Sequence, residues 1–342
     1  MTSSPRLAIQ ETLDAVAGPA SGGRVFVREL REGDQVAAVF VVRERSRLSR
    51  RNGEDFLRLL VADRTGTVEA VVWDDVDACF EVCEPGSIVY IEGAFSVHPQ
   101  YGPKITVKSI RRAAEGEYDR LELVEGPPTP VERMEADLRA LIATVQNPHL
   151  RQLLDRFFAP DSPHWQRFRE APAAKYYHQA YPHGLLDHSL SVAQAVSAVS
   201  SAFPGIDRDV AVTGALLHDV GKTQAYNDDP LAIDLTDAGK LQGEIPLGYY
   251  LVRREIEEID GFDPELAQAV LHIILSHHGT LEHGSPVVPA TREATLVHAM
   301  DNLGGKLGSF DRLERELPEG ERWSKYDRGI GSGAYFRERR AA

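Results

Sequence analysis

Apolar positions follow two rhythms along the chain. Up to about residue 112 they alternate, or come in short blocks closed by turn residues, which predicts β structure. Strands are expected at 25–30, 35–42, 56–62, 67–73, 87–92 and 104–110, with the turn Asp63-Arg64-Thr65-Gly66 between the third and fourth. A brief helix is expected at 75–83. From Val131 onward apolar residues recur three and four apart, which predicts helix after helix: 131–146, 148–159, 163–171, 184–203, 207–220, 243–260, 263–278 and 291–316. Asp207 and Asp263-Pro264 read as helix starts, and Gly205, Gly221 and Gly279 as stops, with Gly221 expected in the left-handed conformation that ends a helix. Between the halves, residues 113–130 carry five acidic residues and then Gly126-Pro127-Pro128-Thr129-Pro130, a stiff linker.

Several helical stripes end in a residue that does not belong in a core. Ala211, Ala215 and His218 share one face, and Val212, Leu216 and Asp219 the next. His188 interrupts Leu185, Val192, Ala195 and Val199. Leu266, Val270 and Ile273 lead to His277, Ala267, Leu271 and Ile274 lead to His278, and Ala294 and Val297 lead to Asp301. One such histidine is commonly a core residue bonded to a carbonyl; the full set is harder to dismiss, because buried polar groups need partners. A divalent cation would resolve the cost of burying Asp219, since imidazole nitrogen and carboxylate oxygen are both its ligands. Lys222, just after the His-Asp-Val-Gly run, places a cation where a phosphate could sit, although a lysine at a helix end also complements the dipole. His298, one turn before Asp301, is expected beside the site. His178 and His183 are expected at its mouth, and His272 on the surface.

A chain of 342 residues suits two domains. The net charge of −14 argues against a protein coated in basic surface, so nucleic-acid contacts must come from local patches. The densest is Arg43, Arg45, Arg47, Arg50 and Arg51, expected on the loop between the second and third strands. Phe56 and Tyr101 are candidates to stack a base there. The bland alternative is a solvated loop tip. Trp73 reads as barrel core. Cys79 and Cys83 fit a reduced cytoplasmic setting. No apolar run is long enough for a bilayer, and residues 1–23 lack an apolar leader core and read as an arm. Aromatics among arginines and glycines in 317–342 point to a tail docked near the site.

The strand half, about five strands with one helical insert, resembles an OB-fold, and the run from Leu57 to Trp73 matches a pattern typical of its nucleic-acid-binding members. The helical half resembles the HD superfamily of metal-dependent phosphohydrolases: an early His188, the doublet His218-Asp219 before Gly221-Lys222, the pair His277-His278 before Gly279, and a late Asp301. OB followed by HD resembles the YhaM-type 3′–5′ exoribonucleases, as do Gly184-Leu185-Leu186-Asp187-His188-Ser189-Leu190 and Ser276-His277-His278-Gly279 with Gly284-Ser285-Pro286.

The resemblance implies a multi-domain α and β protein: arm 1–23, OB-fold β-barrel 24–112, linker 113–130, all-α HD domain 131–316, tail 317–342. It implies metal-dependent trimming of single-stranded RNA, with single-stranded DNA open. One or two divalent ions per chain are implied, manganese first and magnesium or iron next. The ligands carried over are His188, His218, Asp219 and Asp301, with Glu244, His277 and His278 for a second ion. Glu244 stands where the family usually has a histidine, and Gly304-Gly305 where it often repeats an acid. Asp219 would bridge and Lys222 would neutralise a phosphate oxygen, with His218 beside them. A bound ion lowers the pKa of its water from about 15.7 toward about 7, and two ions about 3.5–4 Å apart hold attacking and leaving oxygens in line. Self-association stays open. Two other functions stay open: a phosphohydrolase of free nucleotides or cyclic dinucleotides, and a non-catalytic nucleic-acid-binding protein.

Overall fold

A computed structural model describes residues 25–50, 53–98, 102–175, 179–317 and 320–337. The arm 1–23, Arg51, Tyr101 and His178 lie outside the described residues.

Five strands close into a barrel in the order β1-β2-β3-β5-β4. They are β1 (Gln35–Ser49), β2 (Asp55–Asp63), β3 (Gly66–Val72), β4 (Ile88–His98) and β5 (Gly102–Arg112). Only β3 and β5 run parallel; helix α1 (Val76–Val82) spans the connection from β3 to β4. Alternation explains the interior: Val36, Ala38, Phe40 and Val42 of β1 face Leu57, Leu59 and Val61 of β2 and Val68, Ala70 and Val72 of β3 in one buried cluster. β1 breaks that alternation, because Val39 and Val41 are buried too. They lie under Leu123 and Leu231, which come from the linker and the helical half. A strand covered on both faces reads as a continuous apolar run.

The expected strand at 25–30 is instead a 3-10 turn, Val27–Glu29. Asp63 explains it. Its Oδ2 accepts the Val27 N–H at 2.6 Å, and its Oδ1 accepts the Thr65 N–H and hydroxyl at 2.7 and 2.6 Å. The backbone of this segment is therefore tied to a carboxylate rather than to a neighbouring strand.

Ten helices follow among the described residues: α2 (Val131–Ala143), α3 (Pro148–Phe158), α4 (Trp165–Glu170), α5 (Gly184–Ser200), α6 (Arg208–Leu217), α7 (Lys222–Ala225), α8 (Asp237–Gln242), α9 (Glu244–Glu257), α10 (Pro264–Ser276) and α11 (Arg292–Glu316). Asp207 caps α6 through the Val210 N–H, and Asp263 caps α10 with Pro264 in its first turn, as the sequence predicts. The short α7 and α8 were not predicted. α6 is buried at every position from Val210 to Leu217 and packs against α5, α10 and α11. Each fully buried leucine or phenylalanine in this core contributes ~1.5–3 kcal/mol. The tail from residue 320 bridges Trp323 to Tyr335 and Asp327 to Ser332. It docks on α11, where Arg312 donates to Asp327 at 2.5 Å and Phe310 meets Phe336. Among the described residues no helix is long and apolar enough to cross a membrane.

Candidate metal centre

Four helix segments deliver their polar intruders to one buried point. His188 comes from the middle of α5, His218 ends α6 with Asp219 beside it, His277 ends α10, and Asp301 comes from α11. His188 Nε2 lies 3.2 Å from His218 Nε2, 3.3 Å from Asp219 Oδ2 and 3.1 Å from Asp301 Oδ1. His218 Nε2 lies 3.4 Å from Asp219 Oδ2 and 3.8 Å from Asp301 Oδ1. One ligand atom each from His188, His218 and Asp301 fits within a 4.8 Å span. Ligands about 2.0–2.2 Å from a common ion sit about 3–3.6 Å from each other, close to these separations.

The tautomers follow from the partners. His218 Nδ1 faces the carbonyl of Ala215 at 2.7 Å, and His277 Nδ1 that of Ile274 at 2.8 Å. A carbonyl only accepts, so Nδ1 carries the hydrogen and Nε2 keeps its lone pair. His188 is fixed by a longer relay. Asp187 accepts from Tyr181 Oη at 2.7 Å and from Gln179 Nε2 at 2.9 Å. That orients the Gln179 amide, whose Oε1 then accepts the His188 Nδ1–H at 3.0 Å. Gln179 is buried and holds φ at +60°, a left-handed conformation costly for a non-glycine residue.

The donor set fits a cation. The Nε2 atoms of His188, His218 and His277 face the carboxylates of Asp219 and Asp301, and a divalent ion would take the place of the proton that these carboxylates otherwise hold on His188. Asp219 Oδ1 and His277 Nε2, buried and 3.5 Å apart, have no hydrogen-bond partner among the described residues. Burial alone would lower the pKa of His188, but the carboxylates of Asp219 and Asp301 outweigh it and raise it to about 9. Burial carries His218 down to about 4 against the same carboxylates. Burial would raise Asp219 and Asp301; their neighbours reverse this and hold both well below the usual carboxylate range, Lys222 and His218 acting on Asp219 and His188 and His218 on Asp301. Lys222 Nζ donates to Asp219 Oδ2 at 2.7 Å.

Glu244 and His278 stand together at the partly exposed rim, His278 Nε2 3.7 Å from Glu244 Oε1. His278 Nδ1 is held by the His283 carbonyl at 2.9 Å. Gly221 is not left-handed as expected: its φ is −64°. Its need is close approach, since an added Cβ would stand 2.0 Å from the Glu244 carbonyl oxygen and 2.4 Å from the Gly248 nitrogen. His298 bonds the His277 carbonyl at 2.7 Å, and so supports the site from behind. His183 turns away to the Arg169 carbonyl, and His272 accepts the Ala290 N–H. Gln179, Tyr181 and Asp187 were not singled out from sequence; an acidic residue beside His188 in an apolar helix was the available signal.

The arginines lie differently from the expected loop. Arg43, Arg45 and Arg47 belong to β1, which runs on to Ser49. Arg43 does not face an open ligand surface: it donates to the carbonyls of Pro230 and Leu231 at 3.1 and 3.0 Å, in the seam between barrel and helices. Arg45 and Arg47 lie over the Phe80 ring, at 3.8 and 5.5 Å from its centre. Arg50 lies 4.2 Å over Trp73, which also meets Phe56 at 5.0 Å. Arg45, Arg47, Arg50 and Phe56 make a basic, aromatic patch with Phe80 and Trp73 as its platforms.

The chain matches the HD domain over residues 185–305 and an OB-fold nucleic acid binding domain over residues 36–113. It is 32% identical over 291 residues to a protein named 3′-5′ exoribonuclease YhaM from Geobacillus sp. (strain WCH70), covering 84% of this chain and 88% of that one. The protein of the same name from Bacillus subtilis (strain 168) is 32% identical over 289 residues, covering 84% and 90%. That from Bacillus pumilus (strain SAFR-032) is 29% identical over 291 residues, again covering 84% and 90%.

Proposed function

This chain belongs to the family of the 3′-5′ exoribonuclease YhaM, and from that premise we propose how its residues carry out metal-dependent hydrolysis of RNA. The chain is an exoribonuclease built from an OB-fold and an HD domain, and its HD domain binds divalent metal. The observation that carries the reading is the convergence of His188, His218, Asp219 and Asp301, with imidazole Nε2 atoms facing carboxylate oxygens at one buried point.

These four residues would hold a divalent cation, for which we favour manganese; magnesium or iron would meet the same mixed nitrogen and oxygen ligands. Such an ion supplies Lewis-acid stabilisation of the phosphoryl oxygens and a nucleophile at neutral pH. Lys222, bonded to Asp219 Oδ2, offsets carboxylate charge and places a second cation beside an incoming phosphate. His277 on the buried side, with His278 and Glu244 at the rim, would supply a second position. Burial and the neighbouring His277 lower the pKa of His278, which keeps its Nε2 unprotonated at neutral pH. Burial of His188, His218 and Asp219 keeps bulk water away and strengthens these electrostatic contacts.

The patch of Arg45, Arg47, Arg50 and Phe56 would grip single-stranded RNA, guanidinium groups tracking phosphates and rings stacking bases. Single-stranded DNA fits the same stacking chemistry. The bacterial relatives and the free thiols of Cys79 and Cys83 favour a cytoplasmic setting. Exposed Leu303 and Leu307 on α11, with Trp323, Tyr326 and Tyr335 on the tail, favour a homo-oligomer. The test is stepwise trimming of 5′-labelled single-stranded RNA with manganese. Asp219→Asn should abolish trimming with the fold retained by circular dichroism. Trimming at the parent rate would remove Asp219 from the chemistry.

A further inference from the structure

Lys222 opens a segment, residues 222–236, that reaches from the metal centre to the barrel wall. On the catalytic side it is held by Arg167 of α4, which donates to the carbonyls of Thr223, Tyr226 and Asn227 at 2.9, 2.5 and 2.9 Å. Lys175 adds a bond to Asp234 at 2.9 Å, and Tyr226 bridges to Leu235. The tip of the segment leaves the helical half and enters the barrel seam. There Arg43 donates to the carbonyls of Pro230 and Leu231, and Leu231 is buried with Val39, Val41, Ala62 and Leu123. Gly86, with φ at +87°, lets the β4 approach pass close by: an added Cβ would stand 3.0 Å from Ala232 Cβ and 3.3 Å from Asp229 Oδ2. The carboxylates of Glu125 and Asp229 face the Arg43 guanidinium and oppose the effect of its burial.

Arg43 thus grips the far end of the stretch whose near end is the lysine bonded to Asp219. The two carbonyls it holds belong to a proline and its neighbour, and a single guanidinium nitrogen, Nη1, donates to both. We propose that Arg43 is a positioning residue: with the 222–236 segment it clasps the barrel to the catalytic domain, so that an RNA strand held on the barrel presents its end to the metal centre at a fixed spacing. The clasp rests on the exoribonuclease reading, because only a substrate long enough to touch both halves feels it.

The test compares two substrates on the full chain loaded with manganese. One is a single-stranded RNA of about 20 nucleotides, longer than the ~4–16 nucleotides that an OB-fold covers. The other is bis-(p-nitrophenyl) phosphate, which reaches only the metal centre. Arg43→Ala replaces a fixed connection by a flexible tether, so KM for the RNA should rise about tenfold or more, since joined modules gain affinity by holding their sites at a matched distance. The turnover of the small ester should stay at the parent value. Arg43→Lys should restore part of the RNA affinity, and Leu231→Ala, which touches neither substrate, should repeat the split if Arg43→Ala folds poorly. Equal losses on both substrates would make Arg43 merely structural and overturn the clasp, as would unchanged RNA kinetics in both variants. A parent that hydrolyses the ester but trims no RNA would remove the exoribonuclease reading and the clasp with it.

Discussion

Gln179→Leu removes the hinge of the relay behind His188 while keeping a side chain of similar size. Two hydrogen bonds disappear: the 3.0 Å bond from His188 Nδ1 and the 2.9 Å bond to Asp187. Each contributes a net ~0.5–1.5 kcal/mol, so the loss is about 1–3 kcal/mol. Removing the outer partner of a ligating histidine independently costs ~10–100-fold in metal affinity, which is ~1.4–2.7 kcal/mol. The first figure is a loss of folding stability and the second a loss of metal binding, so thermal melting reads one and a metal titration the other. With no acceptor left at Nδ1, His188 can then place its hydrogen on Nε2, facing the cation, without giving up a bond. The assay is competition for manganese against a calibrated chelator, followed by RNA trimming at saturating metal. Affinity should fall by about 10–100-fold, and turnover should recover at high manganese. Affinity equal to the parent's, with a fold verified by thermal melting, would refute the idea that Gln179 sets the His188 tautomer.

Stripping the metal should reshape stability against pH. His188, at about 9 when buried between carboxylates, lies above its ordinary 6.5. Its contribution is therefore full below pH 6.5 and is lost as pH climbs through about 9. His218, lowered to about 4, acts the other way: its contribution is full above pH 6.5 and is lost as pH falls toward about 4. The melting temperature of chelated protein should peak between these limits and decline toward pH 9; a rise across pH 7 to 9 would contradict the assignment. Gly221→Ala forces a Cβ to within 2.0 Å of the Glu244 carbonyl oxygen, so urea unfolding should report a loss of ~1–3 kcal/mol. Unchanged stability would show that α9 gives way freely.

The apolar stripes ending in His188, His218, Asp219, His277 and Asp301 were legible because burial forces such residues to share a partner, and helical period alone says which face they occupy. The barrel was legible for a similar reason, since alternation in β2 and β3 follows directly from one buried face. What escaped the sequence depends on contacts between distant segments. Val27–Glu29 has strand-like composition, yet Asp63, far along the chain, takes its N–H group. Arg43 sits in a basic run, and only the docking of Leu231 on β1 shows that its partners are carbonyls of the other domain. Gly221 was assigned to a left-handed turn, whereas crowding against α9 is what excludes a side chain there. The Gln179 relay escaped because a glutamine in a loop carries no periodic signal.

The most direct measurement is anomalous scattering at the manganese edge from crystals soaked in that metal. A peak is expected within about 2.0–2.2 Å of His188 Nε2, His218 Nε2 and a carboxylate oxygen of Asp301, the distances typical of nitrogen and oxygen ligands. A protein that trims RNA with manganese but shows its peak elsewhere would contradict this metal centre.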